Sequence, residues 1–218
     1  MRQHLAFLHT SPVHVETFER LVKAAAPALH VEHIVAEDLL VDAQTVGANA
    51  PALIKRIHAA MTAAAGSGAA IVACTCSTIG GAAEKTPTRT RFIAMRIDRA
   101  MADRAVRLGP RILVVAALES TLQPTTALIA ESALLLGEQI EIQHHLVPAA
   151  WAHFTSGNQA AYIETIVRAV RAVAIHADVI VLAQASMAPA ADALRDVGVE
   201  VLSSPSIGVQ SVLAQLKA

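Results

Sequence analysis

Short, nearly unbroken apolar runs alternate with longer segments of helical period along the whole chain, and this alternation leaves few folds open. The runs are residues 4–9, 31–35, 70–75, 92–95, 112–117, 140–146, 179–183 and 199–202. They are brief and rich in Val and Ile, which favours strand over helix. Polar residues do not alternate through them, as expected of strands covered on both faces. Helical patterns lie between them at 13–25, 51–64, 99–108, 121–136, 159–176, 188–197 and 207–216. Alternating strands and helices specify an α/β fold with mainly parallel sheets. Right-handed crossovers are the default for such connections.

The chain also matches itself. Gly109-Pro110 sits near the midpoint of the 218 residues. A shift of 108 residues, the separation of Cys76 from Gln184, lays Ile71-Val72-Ala73 on Val179-Ile180-Val181. The same shift lays His9-Thr10 on Ala117-Leu118, Ile93-Ala94 on Val201-Leu202 and Thr17 on Thr125. One offset superposes three strand ends without gaps, as a duplicated architecture would. We therefore expect two similar lobes, residues 1–97 with 206–218 and residues 98–205. A cleft lined by the carboxyl ends of strands is then the expected ligand site.

Composition excludes several classes of function. Hydrophobic residues make up 54% and charged residues 16%, so the chain can bury a core and is not disordered. The net charge is −1 with no basic block, which gives no footprint for nucleic acid. The longest strongly apolar run, about 112–118, is far short of the roughly 20 residues that a membrane span needs. The start, from Met1 to His9, has too short an apolar stretch for a signal peptide. A cytoplasmic protein is expected.

The two cysteines, Cys74 and Cys76, are too close on one short strand for an ordinary disulfide. No Cys/His cluster has the spacing of a metal site, so no metal is expected. Five strand ends gather hydroxyls where a helix is about to begin. They are His9-Thr10-Ser11-Pro12, Cys76-Ser77-Thr78, Glu119-Ser120-Thr121, Gln184-Ala185-Ser186 and Ser203-Ser204-Pro205-Ser206. Ser and Thr are also the preferred helix caps. Together, however, helix N-termini and hydroxyls make a site for an anion such as a carboxylate. Thr10, Ser11, Ser77, Thr78, Thr121 and Ser186 are the candidates for holding it.

Cys76 lies at the outer end of its strand, just before a helix. That position favours thiolate, which can act as a general base or a nucleophile. Cys74 is more interior and reads as packing, with a role at the site as the alternative. His9, at a strand end, is a further site candidate, and His14 follows on the first helix. His144 and His145 read as structural, and Asp98 as the cap of the helix after it.

Cys76-Ser77-Thr78-Ile79-Gly80, after an apolar strand, resembles the first catalytic-cysteine segment of the aspartate/glutamate/hydantoin racemase superfamily. The blocks from Arg96 to Val106, from Leu118 to Thr125, from Val181 to Ala188 and from Val201 to Pro205 resemble one branch of it. The resemblance runs over nearly the whole chain. It implies two pseudo-symmetric flavodoxin-like lobes with the active site in the cleft between them. It also implies cofactor-independent proton chemistry at the carbon next to a carboxylate, on a small amino-acid-like or dicarboxylic acid. In the family's racemases two cysteines flank that carbon. The second belongs to a segment like Leu-Gly-Cys-Ala-Gly-Met. Here the segment reads Leu182-Ala183-Gln184-Ala185-Ser186-Met187. Gln184 does not ionise and cannot shuttle a proton as a thiol does.

The expectation is therefore a racemase-family isomerase with one thiol, Cys76, and Gln184 as a substrate-binding residue. The alternatives are a one-cysteine decarboxylase or cis–trans isomerase of the same superfamily, or a carboxylate-binding protein without chemistry. Loops at 10–14, 121–125 and 148–158 would set specificity. An Ala-rich chain with an apolar surface helix is compatible with a homodimer.

Overall fold

The computed structural model describes residues 4–89, 91–173 and 176–217. The chain divides into two compact units, Met1–Asp98 with Pro205–Ala218, and Arg99–Ser204. Each unit is built on a sheet of four parallel strands.

The first unit runs β1 (His4–His9), α1 (Val13–Ala25), β2 (His30–Val35), α2 (Glu37–Val46), α3 (Pro51–Ala64), β3 (Ile71–Cys74), α4 (Ser77–Glu84) and β4 (Ile93–Arg96). Its strand order is β2-β1-β3-β4. The second unit runs α5 (Arg99–Leu108), β5 (Arg111–Ala116), α6 (Glu119–Leu136), β6 (Glu141–Leu146), α7 (Pro148–Thr155), α8 (Gln159–Val173), β7 (Val179–Leu182), α9 (Ala188–Ala193) and β8 (Glu200–Ser203). Its order, β6-β5-β7-β8, repeats that of the first. Helix α10 (Ser204–Lys217) then carries the chain back to the first unit.

The central strands explain the unbroken apolar runs. Every residue of β1, β3 and β7 is buried, as is all of β5 after Arg111. One face of the first sheet packs Leu8, Val72 and Cys74 against Leu39, Ile57, Met61 and Ile79. In the second unit, Val115, Ile180 and Leu182 pack with Tyr162, Ile166 and Val170. Full burial of each large apolar side chain contributes roughly 1.5–3 kcal/mol.

The outer strands differ from the expectation of two covered faces. β2 and β6 are half-buried or exposed along most of their length. They carry His30, Glu32 and His33, and Glu141, Gln143 and His144. Polar residues at a sheet edge discourage pairing with another chain.

Two expectations about helices are corrected. The stretch 148–158, read as a loop, begins with helix α7, which Pro148 starts at its first turn. The helix expected over 159–176 is described as α8 over Gln159–Val173, and the part of that expectation at residues 174 and 175 lies outside the described set. The helix expected over 188–197 stops at Ala193. Glycine is required at Gly208 in α10. A Cβ there would lie 2.1 Å from the Ile97 carbonyl oxygen, so only glycine lets the helix approach this closely.

Candidate functional site

In each sheet the order reverses between two central strands, β1 and β3 in the first unit and β5 and β7 in the second. The carboxyl ends of strands at such a reversal are where open parallel sheets hold ligands. The two reversals are built alike. The Thr75 N–H donates to the Leu8 carbonyl at 3.0 Å, and the Ala183 N–H donates to the Val115 carbonyl at 2.9 Å. One residue further on stand Cys76 and Gln184, both in extended backbone just before a helix. Cys76 and Gln184 therefore occupy equivalent positions in their own sheets.

The two cysteines have different surroundings. Cys74 is 1% exposed within the core, and its S–H donates to the Cys76 carbonyl at 3.7 Å. Burial pushes its thiol well above the usual range, and the neighbouring Cys76 adds to the effect. Cys76 is half-buried and lies immediately before α4. It is the more exposed of the two thiols.

The turn after Cys76 is fixed by a buried ion pair. Arg96, at the end of β4, donates from Nε to Asp98 Oδ1 at 2.7 Å and from Nη2 to Oδ2 at 3.0 Å. Nη2 also reaches the Ser77 carbonyl at 3.4 Å, and the Ser77 hydroxyl donates to the Asp98 carboxylate. Both charged residues are almost fully buried, at 5% and 1% exposure. Burial by itself would raise the Asp98 carboxyl. The Arg96 guanidinium and the hydrogen bonds outweigh that and hold it below the usual range. A Cβ on Gly80 would meet the guanidinium at 3.1–3.2 Å, so glycine in α4 lets the cation pack against the helix. Asp98, expected only to cap α5, thus anchors the start of α4 through Arg96.

The hydroxyl candidates are placed as follows. Thr10, Ser77 and Thr78 are buried and Ser11 is half-buried, all in the first unit. Thr121 is buried in the first turn of α6. Gln184 turns its side-chain oxygen to accept the Ala117 N–H at 2.6 Å, which ties the ends of β5 and β7 together. The Ser186 hydroxyl lies 2.8 Å from the Tyr162 hydroxyl. Ser120 and Thr125, on α6, have buried hydroxyls with no hydrogen-bond partner among the described residues.

His9 is fully buried and belongs to a connected chain of polar groups. Its Nδ1 lies 2.8 Å from Thr75 Oγ1, and its Nε2 lies 2.9 Å from His33 Nδ1. His33 Nε2 lies 3.0 Å from Glu19 Oε2, and Lys23 Nζ lies 2.6 Å from the other Glu19 oxygen. Burial, with His33 and His14 beside it, lowers the His9 pKa to about 3, so His9 is neutral. Burial also lowers that of His14, to about 4. Neither His33 nor Glu19 stood out from the sequence. The available signal was parity, since Phe7, whose partner in the register is His33, lies two residues before His9 on the same face of β1. Among the described residues, no group of three His, Cys, Asp or Glu side chains is arranged to hold a metal ion. No described helix is long and apolar enough to cross a membrane.

No family model and no curated protein matches the chain by sequence. Solved structures match its fold. A glutamate racemase from Bacillus anthracis aligns over 99% of this chain and 82% of its own, with a TM-score of 0.72 and 13% identity. An allantoin racemase from Klebsiella pneumoniae aligns over 99% and 91%, with a TM-score of 0.63 and 19% identity. A variant of arylmalonate decarboxylase in a sulfate-associated form aligns over 99% and 94%, with a TM-score of 0.59 and 17% identity. With its two four-stranded parallel sheets, the chain has the fold of the aspartate/glutamate/hydantoin racemase superfamily.

Proposed function

We propose that this protein is a racemase-superfamily enzyme that moves a proton at the carbon next to the carboxylate of a small acid, with the Cys76 thiol as acid/base or nucleophile. The observation that carries the reading is the asymmetry of two equivalent positions. A half-buried thiol, Cys76, follows β3, and a non-ionising amide, Gln184, follows β7. The hydroxyls of Thr10, Ser11 and Thr78, with the backbone N–H groups at the start of α4, Ser77 among them, are the groups we assign to the substrate carboxylate in the first unit, since the Ser77 hydroxyl is committed to Asp98. Thr121, Gln184 and Ser186 are the candidates in the second. The unpartnered hydroxyls of Ser120 and Thr125 add acceptor and donor capacity near Thr121.

Chemically, the thiolate takes the proton from the carbon, or the thiol delivers one to a carbanion. The carbanion's charge spreads into the carboxylate and is stabilised by the same N–H groups and hydroxyls. No cofactor is needed for these steps. One ionisable group at the carbon favours proton transfer on one face. That supports a second reading, decarboxylation followed by protonation on one face, which the fold shared with arylmalonate decarboxylase also favours. A cis–trans isomerisation through a thiol adduct and carboxylate binding without turnover are the remaining readings.

Thiol labelling tests the assignment. Iodoacetamide at neutral pH should modify Cys76 at least about tenfold faster than Cys74, since only the former is accessible. A dicarboxylate that occupies the site should slow the labelling. Equal labelling of both thiols, or labelling that no small carboxylate slows, would contradict the proposal.

A further inference from the structure

Two side chains at the carboxyl end of β7 have their hydrogen-bonding direction fixed by the groups behind them. A backbone N–H can only donate, so the Gln184 atom that meets the Ala117 N–H at 2.6 Å is the amide oxygen. The amide nitrogen therefore faces the other way, and its two hydrogens have no acceptor among the described residues. Ser186 sits in the short turn Ala185–Met187, with its hydroxyl 2.8 Å from that of Tyr162. Tyr162, on the crossover helix α8, is fully buried, and Ser186 is the one partner of its hydroxyl among the described residues. A buried O–H without an acceptor is costly, so the phenol donates and Ser186 accepts. Burial pushes the Tyr162 pKa up to about 12, which keeps that proton in place. The hydrogen of half-buried Ser186 is then left to point elsewhere.

We propose that Gln184 and Ser186 form a donor-only clamp for a carboxylate of the substrate, and that Tyr162 is the positioning residue that turns the Ser186 hydroxyl toward it. The clamp rests on the function proposed above, which gives one carboxylate of a small acid to the first unit, and it takes a second. A carboxylate only accepts, and its charge strengthens each bond. An ammonium only donates. Here it would meet two donors, with the Ser186 oxygen already engaged by Tyr162. The clamp therefore selects dicarboxylic acids over amino acids of the same length that end in an ammonium.

The surroundings suit this task. The Tyr162 ring is held in the core beside Phe154, with ring centroids 5.3 Å apart, so its hydroxyl has one place to go. The Ser120 hydroxyl, three residues beyond Ala117, is buried without a partner among the described residues and adds capacity at the same end of the sheet. The carboxylate nearest in sequence, Glu119, is exposed and bonds to neither donor.

Calorimetry at pH 7 tests the clamp. Malonate, succinate and glutarate are each titrated into the protein beside the amino counterpart, which is glycine, β-alanine or 4-aminobutyrate. The best-bound diacid should exceed its counterpart in affinity by about a hundredfold. Ser186→Ala should cut that ratio by about tenfold, and Tyr162→Phe by a similar factor. Because Tyr162 acts through Ser186, adding Tyr162→Phe to Ser186→Ala should change the ratio no further. Loosened packing alone would weaken both ligands alike and leave the ratio where it was. Gln184→Glu keeps an oxygen for the Ala117 N–H but offers the ligand an anion, so it should reverse the preference. The clamp is overturned by a protein that prefers no diacid or by a ratio that Gln184→Glu leaves unchanged. Independent losses from Tyr162→Phe and Ser186→Ala overturn the positioning role. The two proposals fail separately. A diacid preference with this pattern, in a protein that exchanges no proton at carbon, keeps the clamp and removes the enzyme. Proton exchange that needs Cys76, with a ratio indifferent to Gln184→Glu, does the opposite.

Discussion

Cys76→Ala is expected to lower turnover of a carboxylate substrate by about a thousandfold, within the range that loss of a positioned acid or base produces. The same substitution should leave the fold nearly unchanged. Cys76 is half-buried at a strand end, and removing its sulfur opens no large cavity. Cys74→Ala should show the opposite pattern. Cys74 is packed in the core and burial keeps its thiol protonated, so its loss should cost roughly 1 kcal/mol of stability and little turnover. Steady-state rates and urea midpoints on the two variants give the comparison. Full turnover in Cys76→Ala would remove the thiol from the mechanism. Equal loss in both would mean that Cys74 also serves the reacting carbon.

Arg96→Met should destabilise the protein by about 3–5 kcal/mol, because it leaves the Asp98 carboxylate buried without its partner. The second substitution, Asp98→Leu in the same chain, should recover part of that loss, since an apolar pair needs no desolvation of charge. The pH dependence carries its own sign. In the wild type the Asp98 pKa is depressed on folding, so its contribution is present above the unfolded value of about 3.9 and is lost as pH falls through the lower folded value. In Arg96→Met the unpaired carboxyl is raised instead, and its penalty is relieved as pH falls. The gap between the two proteins should therefore narrow on acidification from pH 7 to pH 4. Urea unfolding at several pH values measures it. An unchanged midpoint at pH 7 would show that the pair contributes nothing to anchoring α4.

The fold was legible because its evidence is local. The β1 and α1 segments, and the alternation that follows, declare themselves through residue type and period alone. The parallel sheets follow from that alternation. The short helix α7 was less visible. Its first turn is Pro148-Ala149-Ala150, and only Ala150 of its residues is fully buried, so no apolar stripe marks it. At the candidate site, chain position was legible and partnership was not. That Cys76 and Gln184 share one place in two sheets could be read from a constant offset. That Gln184 holds the Ala117 N–H, or that Ser186 meets Tyr162, depends on side-chain direction across elements. The Arg96–Asp98 pair looked like a strand end followed by a cap. Its meaning comes from Gly80 and Ser77, which the register of β3 with β4 brings beside it. The hydrogen-bonded chain from Thr75 to Glu19 needed the register of β1 with β2, which fixes His33 against Phe7 and within reach of His9.

Solvent exchange at the reacting carbon tests the central claim most directly. The protein is incubated in D2O with small amino-acid-like and dicarboxylic acids, and deuterium next to the carboxylate is followed by NMR. With Cys76 as the one thiol proposed at the reacting carbon and Gln184 unable to ionise, exchange should occur in one enantiomer much faster than the other enantiomer appears. It should vanish in Cys76→Ala and persist in Cys74→Ala. Gln184→Cys should raise inversion relative to exchange. For a malonate-type acid the same thiol should instead leave one deuterium on one face after loss of carbon dioxide. Exchange or decarboxylation that is undiminished in Cys76→Ala, or inversion as fast as exchange in the wild type, would contradict the account.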